Sequence, residues 1–231
     1  MEIKHLFKFI ALGDSITTGF NAERAADNHS FSWSTGYASD FPSHLARLKQ
    51  VLPSVKVETK NVAQSGARSA SLSDQIRSLG PMVAADYATI LIGANDLTDM
   101  LFMGEYGEGV KKLRDNVERA IVQLTTTNPR IMITMSAIPN QALVVDTLVK
   151  NPRFNPSLLN QLKSAYKERH TRANAALTDI ALKYRRQVRY AVQIGTTRFN
   201  VEHLSALDRY HPNTKGQALL AELTWQAGWF P

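Results

Sequence analysis

Five small or polar residues stand where they could together carry out acyl transfer. Ser15 follows the apolar run "LFKFIAL", and Asp208 and His211 lie three residues apart in "LDRYHPNTKG". A Ser hydroxyl needs an adjacent base at neutral pH, His is the usual base, and an Asp fixes the tautomer of that His. These residues therefore predict a Ser15 nucleophile, a His211 base and an Asp208 partner.

The same chemistry needs hydrogen-bond donors aimed at the developing oxyanion. Gly66 follows the run "VKVETKNVA" and Asn95 follows "ATILIGA". The backbone N–H of Gly66 and the carboxamide of Asn95 are candidate donors, and the N–H of Ser15 is a third if a helix begins there. Gly66 has no side chain that would keep a substrate away.

Strand and helix patterns alternate along the chain and would position these groups. Continuous or alternating apolar runs predict strands, and apolar residues at helical spacing predict helices around Leu45–Leu52, Val110–Leu124, Ser157–Gln187 and Thr214–Gly228. Such alternation predicts a parallel sheet with helices on both faces, where ligands bind at the carboxyl ends of the strands. The five predicted strands are Leu6–Leu12, Val55–Ala63, Ala88–Ala94, Arg130–Pro139 and Val188–Gly195.

Four stretches, "GDSITTGFN", "NVAQSGA", "IGANDLT" and "DRYHPN", resemble the sequence blocks of the SGNH (GDSL-type) hydrolases, in the order found in that family. The resemblance spans nearly the whole chain. It implies a flavodoxin-like three-layer αβα sandwich with a five-stranded parallel sheet, and ester hydrolysis without a metal or cofactor. Carried over, Ser15 is the nucleophile, Gly66 and Asn95 are oxyanion donors, and Asp208 and His211 form the relay. The stretch "SFSWSTG" resembles the phospholipase B-like branch and points toward lipid esters.

Other interpretations of these residues stay open on sequence alone. Ser15 could cap a helix, since Ser is a good N-cap, and Ser65 is a rival nucleophile. Asp14 is expected to bond the loop backbone, and Asp96 to serve as a turn or cap residue. Among the remaining histidines, only His203 lies close enough in sequence to Asp208 to be a reserve base.

Apolar residues in two long segments could line an acyl pocket. A run of four follows Asn95 in what reads as a loop, and such a run either packs into the core or lines a ligand site. The long segment from Pro139 to Phe154 follows the fourth predicted strand on the same edge. The candidate lining residues are Trp33, Met100, Leu101, Phe102, Met103, Asn140 and Val144, and Trp33 could equally be a packed aromatic.

Length and composition narrow the possibilities further. The 231 residues are 44% hydrophobic and form no repeat, so we expect one domain over residues 1–231. The chain has no Cys, which excludes disulfides and thiolate chemistry. The residues before the first strand leave no room for a signal peptide. The compartment is therefore unknown: secreted or periplasmic if a leader was removed, and cytoplasmic otherwise.

The net charge of +7 is concentrated in one segment. Residues 150–189 hold ten Lys or Arg and two acidic residues. This segment could be a solvated helix face or could attract an anionic membrane surface. No nucleic-acid-binding motif accompanies the charge, and no obligate protein partner is indicated.

The predicted function is serine-dependent hydrolysis of a lipid or short-chain acyl ester. Hydrolysis of O-acetyl groups on sugars or cell-wall polymers is an alternative, and acyl transfer to an alcohol is another. A catalytically inactive binding module of the same fold is the alternative from a different class.

Overall fold

The computed structural model describes residues 6–102, 106–140, 155–197 and 199–230. Its centre is a five-stranded sheet in which every neighbouring pair of strands is parallel. The strand order is β2-β1-β3-β4-β5, which is that of flavodoxin-like folds. The strands are β1 (Leu6–Gly13), β2 (Lys56–Asn61), β3 (Tyr87–Leu91), β4 (Met132–Ser136) and β5 (Val188–Ala191). The predicted fold class is therefore confirmed.

The position of each strand explains its sequence. β1 and β3 are central, and apart from Lys8 and Thr89 their residues are mainly apolar because both faces of these strands are covered. β2 is an edge strand, and its half-buried Val57, Thr59 and Asn61 alternate with exposed residues. After β2 the chain passes back over β1 to form β3. This reversal opens a crevice between the carboxyl ends of β1 and β3, the usual ligand position in such sheets.

Helices cover both faces of the sheet. Four of them pack against one another on one face, and two lie on the other face. The first group is α3 (Leu72–Arg77), α4 (Ala94–Phe102), α5 (Tyr106–Thr127) and α6 (Pro156–Lys183), and the second is α2 (His44–Val51) and α7 (Thr214–Gln226). The short α1 (Ser15–Thr18) lies at the carboxyl end of β1. The first face buries a large aliphatic core, and the second buries Phe9, Leu48, Tyr87 and Trp225 together.

Local signals set the helix boundaries. Asn155 caps α6, where its side chain accepts the N–H of Ser157 at 2.8 Å and Pro156 follows as the first helical residue. Asn213 caps α7 by accepting the N–H of Gly216 at 3.0 Å. Asn-Pro is a typical helix start in sequences, and α6 begins at this pair.

The segment after Asn95 differs from the prediction. It was expected to be a loop but forms helix α4, whose buried face carries Leu97 and Met100. The two residues are three apart and so lie on one face of the helix. The apolar run there is mainly a packing face and not a loop lining. In the part of the chain that the structure describes, no helix is both long and apolar enough to cross a membrane.

Candidate active site

Ser15 occupies the first position of α1 and is not its cap. β1 ends at Gly13, where an added Cβ would lie 2.3 Å from the carbonyl oxygen of Leu91. Asp14 is the N-cap, because its Oδ1 accepts the N–H of Ile16 at 2.9 Å. The Ser15 hydroxyl is thereby free of a capping role, and its backbone N–H has no intrahelical acceptor.

A hydrogen-bonded line joins Ser15 to two residues near the other end of the chain. The Ser15 Oγ lies 2.9 Å from His211 Nε2, and His211 Nδ1 lies 2.7 Å from Asp208 Oδ2. The His211 and Asp208 side chains are 14% and 26% exposed, so the line is half-buried and reachable from solvent. This is the nucleophile–base–acid geometry of serine hydrolases.

The Asp208 carboxylate is held by several donors. Its Oδ1 accepts the N–H groups of Tyr210 at 2.8 Å and of His211 at 3.0 Å, and its Oδ2 also accepts from Asn21 Nδ2. Partial burial acts to raise the pKa of Asp208, but the hydrogen bonds from the His211 ring and from these donors outweigh it and leave the pKa lowered. Asp208 is therefore ionised at neutral pH and suited to orient an imidazole.

Gly66 and Asn95 lie together at the carboxyl ends of β2 and β3. Gly66 has φ +81°, a conformation that side chains rarely adopt, and an added Cβ would meet nothing within 4 Å. The Asn95 Nδ2 donates to the carbonyl oxygen of Ala67 at 2.9 Å, which ties α4 to the Gly66 loop. The open space above Gly66 leaves room for a substrate beside both candidate donors.

Two carboxyl groups stand next to candidate site residues in the sequence: Asp14 before Ser15, and the half-buried Asp96 after Asn95. Asp14 is fully buried, and within the described part of the chain its Oδ2 has no hydrogen-bond partner. Burial raises the pKa of Asp14 to about 7, with the charge of Asp96 adding to the effect. Burial also raises the pKa of Asp96, although this carboxylate accepts the N–H and the hydroxyl of Ser69.

Asp14 should therefore make folding dependent on pH. The unfolded chain releases this proton near pH 3.8, whereas the native state keeps it up to about pH 7. The free energy of unfolding therefore falls as the pH rises from about 3.8 to about 7, by at most about 4 kcal/mol in total. It is recovered when the pH is lowered again. We expect urea unfolding at pH 5, 6.5 and 8 to show that the free energy of unfolding falls less between pH 5 and pH 8 in Asp14→Asn than in the parent protein.

The control for this measurement is Asp74→Asn. Asp74 is an exposed carboxylate paired with Arg77, and its loss should leave the pH slope unchanged. Parallel stability–pH curves for Asp14→Asn and the parent would contradict the assignment.

The rival groups have other partners. The Ser65 hydroxyl donates to Asp27, and the Thr18 hydroxyl donates to the same carboxylate oxygen at 2.6 Å. His203 caps a short 3-10 turn, where its Nδ1 accepts the N–H of Asn200. Neither arrangement places an imidazole beside a serine hydroxyl.

The predicted pocket lining is partly wrong. Trp33 is 0% exposed, with its backbone N–H bound to Gln217 and its indole N–H to Thr17, so it packs in the core and cannot contact a substrate. Met100 is 2% exposed but lines a cavity beside α4, Leu101 packs against the core, and Phe102 is 65% exposed. Asn140 is half-buried, and Met103 and Val144 lie outside the described residues.

A cavity of about 390 Å³ lies between the loop after Gly66, α4 and α5. Its walls include residues that follow Gly66 and Asn95 closely in sequence. Arg68 and Asp99 form an ion pair across it, with Arg68 Nη2 2.9 Å from Asp99 Oδ1. The cavity is lined mainly by Arg68, Asp96, Asp99, Met100, Lys112 and Asn116. It therefore combines an apolar floor with charged and amide groups.

Sequence reasoning missed several residues that brace the site. The Gln75 side chain bonds both the N–H and the carbonyl of Gly13, at 3.0 and 2.8 Å, and fixes the end of β1. Gln217 donates to the carbonyl of Ile16 at 2.9 Å and so ties α7 to α1. Asn21 lies beside Asp208, 187 positions away. The partners of these three amide residues are distant in the sequence, so local patterns could not predict the contacts. The one available signal was an amide side chain close to a motif.

Fold and site together define an α/β hydrolytic protein of the flavodoxin-like class, with a Ser-His-Asp line at the crevice of its sheet. Residues 9–224 match the family described as GDSL-like Lipase/Acylhydrolase. The chain belongs to this family and is a carboxylic ester hydrolase of the serine esterase or lipase type.

Solved structures show the same fold. A candidate GDSL-like lipase from Parabacteroides merdae has a TM-score of 0.67 at 17% identity, covering 98% of this chain and 97% of its own. The lipase Lip_vut3 from a goat rumen metagenome has a TM-score of 0.64 at 18% identity, with coverage of 97% and 98%. The acetylxylan esterase Axe2 from Geobacillus stearothermophilus has a TM-score of 0.56 at 19% identity, and the match covers 100% of this chain and 98% of that esterase. A search of curated proteins finds no match to the sequence.

Proposed function

We propose that the protein hydrolyses short acyl esters by a Ser-His-Asp mechanism. The observation that carries this proposal is the 2.9 Å separation of Ser15 Oγ and His211 Nε2, with Asp208 on the other ring nitrogen. His211 removes the hydroxyl proton of Ser15 as its Oγ attacks the ester carbonyl carbon. The carbonyl oxygen becomes an oxyanion that accepts from the N–H groups of Ser15 and Gly66 and from the Asn95 amide.

The remaining steps use the same groups. The tetrahedral intermediate collapses, the bond to the alkoxy group breaks, and His211 returns the proton to the leaving alcohol. A water molecule then loses a proton to His211 and attacks the acyl-enzyme carbonyl. Ser15 leaves with that proton, and the carboxylic acid is released. An alcohol in place of water would give acyl transfer by the same route.

A covalent probe tests the proposal directly. A fluorophosphonate should label the folded protein on Ser15, as mapped by mass spectrometry, because it forms a stable bond to an activated serine. Absence of labelling, or labelling at Ser65, would favour the inactive binding module or a different nucleophile. Denatured protein is the control, since its serines have no adjacent base.

The cavity between α4 and α5, whose lining includes Arg68, two residues after Gly66, and Asp96, next to Asn95, favours a small acyl or a polar alcohol group. Of the proposed apolar walls, Trp33 is buried in the core and Met100 exposes little surface, whereas the cavity carries two carboxylates, two cations and an amide. Such groups suit the hydroxyls of a sugar better than a long alkyl chain. The O-acetyl esterase alternative gains support from this cavity and from the similarity in fold to an acetylxylan esterase.

An ester ladder measures the substrate preference. With p-nitrophenyl esters we expect kcat/KM to be highest at two to four carbons and to fall steeply beyond them, and acetylated xylo-oligosaccharides should also be hydrolysed. Phospholipid vesicles are the third arm. A maximum at eight or more carbons, or faster turnover of the phospholipid, would overturn the short-acyl proposal.

The basic segment 150–189 supports membrane binding only weakly. α6 runs from the carboxyl edge of the sheet to its amino edge, so Arg185 and Arg186 lie at the edge opposite Ser15. Lys183 is paired with Glu118, and Arg189 stacks on Trp229. Contact with an anionic membrane surface through these residues would hold the active site away from the lipid. Membrane binding by this segment is therefore a proposal separate from ester hydrolysis.

A further inference from the structure

We propose that Asn21 is a positioning residue that fixes the Asp208 carboxylate against His211. This inference deepens the proposed hydrolytic function and rests on it. It concerns a residue in the loop after α1, which none of the predicted roles includes.

The contact between the two side chains is direct and half-buried. Asn21 Nδ2 donates to Asp208 Oδ2 at 2.6 Å, and the same oxygen lies 2.7 Å from His211 Nδ1. The other carboxylate oxygen is held by two backbone N–H groups. Asn21 therefore supplies a side-chain donor, in addition to the His211 ring, that fixes the carboxylate plane, and it is itself 8% exposed.

The loop that carries Asn21 is pinned in place. Asn21 has φ +56°, which Asn tolerates better than most residues, and its N–H donates to the carbonyl of Ala26 at 2.9 Å. Asn28 Nδ2 donates to the carbonyls of Arg24 and Ala26 at 2.8 and 2.6 Å. Between these residues, Asp27 accepts from the hydroxyls of Thr18 and Ser65, the neighbour of Gly66. The amide is thus presented to Asp208 in a fixed orientation.

Loss of this donor has two physical consequences. The carboxylate gains freedom to rotate away from the imidazole, and it becomes a stronger proton acceptor because one charge-assisted hydrogen bond is missing. The charged side chains near it on the two loops, Glu23, Arg24 and Arg209, are exposed and screened by solvent. His211 is the titratable partner in direct contact. The effect should therefore appear in the chemical step and its pH dependence.

Two substitutions test the proposal by steady-state kinetics. Asn21→Gly keeps the left-handed backbone and removes the donor, and Asn21→Asp keeps the shape while replacing the donor with an acceptor. We expect kcat to fall about 10- to 100-fold in both, the worth of one hydrogen bond to a charged group, with KM changed by less than about threefold. We also expect the acidic limb of the kcat/KM profile to move to higher pH.

Arg24→Ala is the matched control, since it alters an exposed side chain of the same loop and should leave kcat unchanged. In NMR spectra, the proton between His211 Nδ1 and Asp208 should exchange faster with water in Asn21→Gly. Unchanged kcat and pH profile in a folded Asn21→Gly protein would overturn the inference, as would an equal loss in Arg24→Ala. If Ser15→Ala also retains turnover, the proposed function itself fails. The NMR comparison does not depend on turnover.

Discussion

Replacing Ser15 with Ala should lower kcat for p-nitrophenyl acetate at least about 10⁴-fold, because its hydroxyl contacts the imidazole that Asp208 orients. His211→Ala should give a similar loss. The two residues act as one unit in the first step, so the double variant should be no slower than the slower single variant. Initial rates on purified proteins with matched circular dichroism spectra measure all three.

Ser65→Ala separates the two serines. It removes a loop hydrogen bond to Asp27 and no bond to an imidazole, so we expect at most about a tenfold loss. Turnover that survives in Ser15→Ala but disappears in Ser65→Ala would reverse the assignment. Losses from Ser15→Ala and His211→Ala that multiply in the double variant would show that they do not act together.

Replacing Asn95 with Ala should lower kcat about 100- to 1,000-fold while changing KM little. The amide is a donor that gains strength only as negative charge develops on the carbonyl oxygen. Its bond to the carbonyl of Ala67 also holds the Gly66 loop, so the substitution weakens two proposed donors at once. Asn95→Asp should be at least as damaging, since a carboxylate repels the oxyanion. Kinetics on the acetyl and butyryl esters measure both variants.

Asn128→Ala is the control for this pair. Asn128 makes a similar amide-to-carbonyl bond, from Nδ2 to Ala85 at 2.8 Å, but it follows α5 at the amino edge of the sheet. We expect kcat of this variant to stay within about threefold of the parent value. The variant should be less stable, because it loses one hydrogen bond. A kcat loss of the same size in Asn128→Ala as in Asn95→Ala would assign the effect to folding rather than to the oxyanion.

Local patterns were enough to predict the elements that carry the site. Apolar runs marked the central strands within a few residues of their bounds, because central parallel strands are covered on both faces, and alternation marked the edge strand β2. Asn155-Pro156 marked the start of α6, since both residues favour a helix start. The segment after Asn95 was misread because its four consecutive apolar residues obscured the spacing of Leu97 and Met100 on one helical face.

The sequence by itself determined which groups are available for chemistry: a hydroxyl, an imidazole, a carboxylate and two oxyanion donors, each next to a strand end or a turn. Only the tertiary structure decided which of them meet. It brought Ser15 and His211 within hydrogen-bonding distance across 196 positions, buried Trp33 in the core, and set Asn21 against Asp208. Periodicity and capping act over a few residues, whereas these contacts depend on how whole strands and helices pack.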